Sequence, residues 1–160
     1  MEKMSVVLGI DIGVQGAIAM LDKSGALLDV IDVPVLHDGP KGRRAINAPL
    51  LAGIIFNSHA EHAYVESVGA RPLEGAVGAF AFGRARGVVE GVLAAAGVPC
   101  SFITPPSWKR AVGLAPGKNK DASRGEAIRR WPAQADLFKL KKYDGRAEAC
   151  LIAIAGLGRS

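Results

Sequence analysis

Apolar positions along the chain fall into two rhythms. Ser5 to Ile12 is almost continuously apolar, with Val6, Val7, Leu8 and Ile10, and reads as a buried central strand. Gly13 and Gly16 break it, and Ala17 to Leu21 predicts a second strand. Asp22-Lys23-Ser24-Gly25 is a turn signal, and Ala26 to Val33 predicts a third strand, so these segments form an antiparallel meander. Residues 34–46 are rich in Pro, Gly and charge and predict a loop. Ala48 to Ala60 has helical spacing, with Leu50, Leu51, Ile54 and Ile55 on one face. His62 to Val68 predicts a fourth strand. Leu73 to Ala96 then predicts a long helix in which Gly78, Gly83, Gly87 and Gly91 leave a smooth face. Gly97-Val98-Pro99 ends that helix, and Cys100 to Thr104 predicts a fifth strand.

The rest of the chain reads as helical. Pro105-Pro106-Ser107 opens a short helix over Trp108 to Val112, with Ser107 as its cap. Gly113 to Asn119 is a basic loop, and Asp121 to Trp131 is a helix stopped by Pro132. Asp144 to Leu157 is apolar almost all round, which predicts a helix buried against the sheet. Five strands and these helices make an α/β chain.

Composition narrows the classes. At 160 residues the chain is expected to be one domain, spanning 1–160. Hydrophobic residues at 49% and charged residues at 22% exclude a mainly disordered chain. No apolar run reaches the 18 or so residues of a membrane span, and Met1 to Ser5 lacks the features of a secretory signal. The expected location is the cytoplasm, with Cys100 and Cys150 as reduced, buried thiols. His59 and His62 have no second ligand pair with zinc spacing. The formal charge is +5 and unevenly spread: Lys109 to Arg146 holds eleven Lys or Arg and four Asp or Glu, a local +7, leaving −2 elsewhere. A basic segment on a slightly acidic body fits a polyanionic partner.

Against that basic background, four acids stand in apolar surroundings. Asp11 lies inside the first strand and Glu66 inside Ala63-Tyr64-Val65-Glu66. Asp144 and Glu148 are four apart, on one face of the last helix. Each has a structural alternative: a turn acceptor for Asp11, a pair with Arg71 for Glu66, a helix cap for Asp144, a surface position for Glu148. Carboxylates gathered at one seam repel one another and raise each other's pKa, and a divalent cation removes that cost. Oxygen-only ligation favours Mg²⁺ or Mn²⁺ over zinc. Beside a basic surface, that points to chemistry on phosphate.

Gly9-Ile10-Asp11-Ile12-Gly13 followed by a strand, Glu66 ending a later strand, and acids opening the last helix resemble the RNase H-like nucleases. Within them, the pattern is most similar to the RuvC-type Holliday junction resolvases, of the phage-like form. Gly83-Arg84-Ala85-Arg86-Gly87-Val88 resembles the glycine-rich part of that family's long helix. Thr104 to Val112 resembles its Pro-x-x-x-Lys segment, and Asp144-Gly145-Arg146-Ala147-Glu148-Ala149 its closing acidic motif. The ordered set runs from about residue 6 to 156. The resemblance implies an RNase H-like fold, a five-stranded mixed sheet with helices on both faces. It further implies a Mg²⁺- or Mn²⁺-dependent endodeoxyribonuclease that resolves four-way or related branched DNA by two-metal phosphodiester hydrolysis. The implied partners are branched DNA and a second copy of the chain in a homodimer. The implied metal ligands are Asp11, Glu66, Asp144 and Glu148, two ions per site. Lys120 is the implied catalytic cation, with Lys109, Arg110, Lys118, Lys120 and Arg124 on the DNA, and Arg129 and Arg130 as further backbone contacts.

The pattern departs from the family in places. Glu148 stands where Asp is common, Asp144 precedes it by four positions instead of three, and no aromatic follows Glu66 to stack at a junction. Phe80 and Phe82 are the substitutes on offer, with core packing the plainer role for both; Trp108 poses the same choice between base stacking and core. Three other readings remain. One is an RNase H-like nuclease acting on flaps or RNA/DNA hybrids. Another is a non-catalytic nucleic-acid-binding module. The last is an actin-like ATPase, which needs two such domains, and Gly117-Lys118-Asn119 supplies no Walker loop.

Overall fold

The computed structural model describes residues 3–37, 42–69, 73–117 and 119–159, with the backbone alone at Lys120. Five strands form one sheet: β1 (Val6–Asp11), β2 (Ala17–Asp22), β3 (Leu27–Asp32), β6 (His62–Glu66) and β7 (Cys100–Ile103). Their order is β3-β2-β1-β6-β7. The first three strands are antiparallel, while β6 and β7 run parallel to β1. Asp22 makes the β2–β3 turn as its residue type predicts: its Oδ1 accepts from the Ser24 and Ala26 amides at 2.9 and 3.0 Å. The sheet is mixed, as the family resemblance implies.

The side-chain alternation of β1 divides the core. Val6, Leu8 and Ile10 face one apolar cluster, with α1 (Ala48–Ser58) and α2 (Ala76–Ala95) over it. Val7 faces the other cluster, under α3 (Pro105–Ala111), α4 (Lys120–Arg130) and α5 (Asp144–Leu157). Helices therefore cover both faces. α5 is buried as its all-round apolar pattern predicts; Leu151 and Ile152 are fully enclosed, each contributing about 1.5–3 kcal/mol of burial.

α5 lies unusually close to the sheet. A Cβ on Gly9 would sit 2.0 Å from the Ala149 carbonyl oxygen. A Cβ on Gly145 would sit 2.4 Å from the Gln15 carbonyl oxygen, so the first turn of α5 presses on the β1–β2 loop. Elsewhere, Trp131 Nε1 donates to the Gly25 carbonyl at 3.0 Å and Gln134 Nε2 to that of Leu27 at 2.8 Å. These two bonds tie the end of α4 to the β2–β3 hairpin.

Four sequence expectations are corrected. The segment 34–46 carries a two-stranded ribbon, β4 (Val35–His37) with β5 (Arg44–Ile46), where a loop was expected. Each strand has three residues, too few to show a period against the surrounding Pro and charge. α3 starts at Pro105, because two prolines tolerate the first helical turn, where no amide bond is needed. Thr104 is then the N-cap residue, and the Ser107 hydroxyl accepts from Arg159 instead. Residues 132–138 and 141–143 form 3-10 turns not expected from the pattern. Cys100 is exposed on the edge strand β7; Cys150 is buried, and both are free thiols.

Gly9→Ala should destabilise the chain by about 2 kcal/mol or more, because the clash is with backbone and the helix has to shift. Thermal unfolding followed by circular dichroism should show a melting temperature lower by roughly 4–8 °C.

Candidate active site

The period of two that faces Val7 and Gly9 toward α5 puts Asp11, the last residue of β1, on the same side. In β6, Tyr64 packs into the α5-side cluster, so Glu66, the last residue of that strand, shares its face. β1 and β6 are parallel neighbours, so both acids emerge at one end of the sheet. Glu148, in the second turn of α5, comes down beside them. Carboxylate oxygens of Asp11, Glu66 and Glu148 lie within 4.8 Å of one another.

Three carboxylates this close cannot all ionise freely. Burial pushes the Asp11 carboxyl well above the usual carboxylate range, and the charges of Glu148 and then Glu66 push it further. Hydrogen bonds from Asp11 to both neighbours act in the same direction. Glu66 is 9% exposed and has a donor of its own: the indole Nε1–H of Trp108, 3.2 Å from Oε1. Trp108 is fully enclosed, which decides between its two sequence readings in favour of the interior. Arg71, the alternative partner of Glu66, lies outside the described residues.

Asp144, the first residue of α5, is placed differently. It lines the cleft with Asp11 and Glu148 but is not in the group of three. Its Oδ1 is 3.2 Å from Arg124 Nε, an ion pair without hydrogen-bond alignment. Arg124 is also held by the Phe138 and Lys139 carbonyls, 3.3 and 2.9 Å from Nη1, and by Asp121 at Nη2. It is thus committed to protein partners. Lys109 Nζ donates to the Gly117 carbonyl at 2.8 Å, and Arg110 is exposed on α3. Arg129 and Arg130 both pair with Glu126. Lys120 opens α4, and Lys118 lies outside the described residues.

The cleft has a volume of about 840 Å³ and is open to solvent on its outer side. Lys141, Lys142 and Arg44 line its walls. These three cations sit in no motif of the chain, and the Lys141-Lys142 pair just before Asp144 is the local signal for them. Arg146 is fixed by Asp32 through two bonds of 2.8 and 2.9 Å and stacks on Tyr143 at 3.6 Å. A second groove of about 400 Å³ shares Gly13, Val14 and Arg44 with the cleft. Phe80 and Phe82 line it, with Arg43 and Arg84. Phe80 is 76% exposed, so it is not a core residue.

All three members of the group are carboxylates, a hard-oxygen set that would fit Mg²⁺ or Mn²⁺. Burial first, and then the charges of Glu148 and Glu66, push the Asp11 carboxyl up, and such an ion would offset both. Among the described residues, no helix is long and apolar enough to cross a membrane.

Comparison with known proteins adds two kinds of likeness. No protein-family model matches the chain. A curated protein, the chloroplastic Holliday junction resolvase MOC1 of Chlamydomonas reinhardtii, is 34% identical over 122 residues. That stretch is 73% of this chain and only 14% of the MOC1 chain. Among solved structures, Thermus thermophilus RuvC in complex with a Holliday junction substrate matches with a TM-score of 0.56 and 20% identity. The match covers 94% of this chain and 91% of that one. A second Thermus thermophilus RuvC structure matches with a TM-score of 0.52 and 21% identity, over 94% and 92% of the two chains. The chain therefore has the RNase H-like fold of RuvC, and it resembles the RuvC-type Holliday junction resolvases in both sequence and architecture.

Proposed function

We propose that the chain is a metal-dependent endonuclease that cuts branched DNA, with the four-way junction as its substrate. The observation that carries this reading is the group of three carboxylates at the ends of β1 and β6 and in the second turn of α5, of which Asp11 and Glu148 line a cleft with basic walls. The sequence likeness to a curated resolvase supports the choice of substrate. Asp11, Glu66 and Glu148 would hold the ions, with Asp144 at the edge of the site. Divalent ions bound there would activate water and stabilise the departing oxygen.

The protein's own groups have separate tasks. Trp108 fixes one oxygen of Glu66, whose carboxylate lies within 4.8 Å of those of Asp11 and Glu148. Lys141, Lys142 and Arg44 attract the DNA backbone into the cleft. Lys120, at the start of α4, is the proposed cation for charge on the reacting phosphate. Lys109, Arg110 and Lys118 extend the basic surface. Arg124 is left out of that set because its guanidinium is taken by the protein. The groove at Phe80 and Phe82 offers an aromatic face to an unstacked base next to the cut, with arginines for its phosphates. A four-way junction has approximate two-fold symmetry, so two copies of the chain would present two sites. The exposed Leu73 and Val77 make the start of α2 and the turn before it the candidate contact.

Cleavage of end-labelled DNA tests the reading. A junction, a fork, a linear duplex and an RNA/DNA hybrid are compared in Mg²⁺, Mn²⁺ and EDTA. Paired, symmetric nicks in the junction are expected with metal, and a loss of at least about 10³-fold in Asp11→Asn, of the order seen when a group essential to charge stabilisation is removed. Preferential cutting of forks or hybrids would overturn the junction assignment. Binding without cutting in either metal would overturn the enzyme. Phe80→Ala should weaken junction binding by roughly tenfold, about one stacked base. Light scattering at micromolar concentration should give the mass of a dimer; a monomer would refute the two-copy arrangement.

The raised Asp11 carboxyl also sets a pH dependence for the metal-free chain. The folded state holds this proton more tightly than the unfolded state does. The resulting stability is complete below about pH 4, the unfolded value, and is lost as pH rises through the folded one. In EDTA at pH 7–8, Asp11→Asn should therefore melt higher than wild type, by roughly 2–4 °C for each kcal/mol of relieved repulsion. The gain should fade toward pH 4, and saturating Mn²⁺ should reverse the order.

A further inference from the structure

The four acids at the end of the sheet are not equivalent. Asp11, Glu66 and Glu148 lie within reach of one shared cation, and Asp144 does not join them. Asp144 already has a cation beside it, Arg124 Nε, 3.2 Å from Oδ1. Both atoms are buried and neither makes a hydrogen bond of good alignment. The attraction between them is therefore Coulombic and lacks the directional bond that would lock it. Arg124 itself is anchored from its other side, by the Phe138 and Lys139 carbonyls and by Asp121. These anchors hold its Nε edge toward Asp144.

A carboxylate facing a fixed guanidinium presents little net charge to a divalent ion. We propose that Arg124 is a positioning residue that stands in for a cation at Asp144. The DNA-free chain then takes one divalent ion, on Asp11, Glu66 and Glu148, and keeps Asp144 in reserve. This rests on the metal-dependent reading given above. It departs from four equivalent acids, and it gives Arg124 a task inside the site instead of on DNA.

Calorimetric titration of the whole chain with Mn²⁺, without DNA, tests this. The wild type is expected to bind one ion per chain. Asp144→Asn should bind the same ion with a Kd within about twofold, since a 1.4 kcal/mol change would already be tenfold. Arg124→Met keeps the stem of the side chain and removes the charge. It should bind a second ion, because Asp144 is then unpaired. A purely structural Arg124 would lower the melting temperature without adding an ion. A first-ion Kd weakened roughly tenfold in Asp144→Asn would overturn the proposal, as would a folded Arg124→Met that still binds one ion with wild-type affinity. If circular dichroism shows Arg124→Met to be unfolded, Asp144→Asn decides alone. Asp11→Asn separates the two readings. Wild type that binds no Mn²⁺, or binding indifferent to Asp11, overturns the metal site and this proposal together. Binding that needs both Asp11 and Asp144 overturns this proposal only.

Discussion

The contact between α5 and β1 governs the rest of the molecule. It is a backbone-to-helix approach so close that Gly9 has no room for a methyl group. That closeness brings Glu148 down to the end of the strand that carries Asp11. A helix standing farther off would still bury Leu151 and Ile152 against the sheet, but its acid would hang above the cleft. The same contact presses Gly145 on the β1–β2 loop and so shapes the floor beside Asp11. Core and candidate site are thus produced by one packing event, not by two.

Electrostatics follows from that packing. Each acid meets a different environment within a small space. Asp11 is surrounded by like charge, Glu66 has a neutral indole donor, and Asp144 has a guanidinium. The differences come from the elements behind them: α3 brings the indole, and α4 brings the arginine. The basic loop joins those two helices in the chain. They link the surface proposed for DNA to the groups proposed for its hydrolysis.

Much of this was legible in the chain. The alternation in β1 places Asp11 opposite Leu8 and Ile10, and the all-round apolar pattern of α5 predicts its burial. What escaped was of two kinds. Strands of three residues, β4 and β5, have no period to detect among prolines and charges. Partnerships across long sequence distances, Trp108 with Glu66 and Arg124 with Asp144, leave no local trace. An enclosed indole reads as core, and an arginine on a polar helix reads as surface. Cys100 is exposed because an edge strand has one fewer neighbour than the central strands its composition resembles.

The crowding around Asp11 has a consequence for how such a chain can change. A neutral residue at that position relieves burial cost and repulsion that every metal-free folded copy otherwise carries. Laboratory selection for heat resistance without metal would therefore drift toward sequences that have lost the acid and, with it, the proposed activity. Proteins recovered from such a screen would look improved by every biophysical criterion. In this fold a gain in robustness at the strand end is a warning sign.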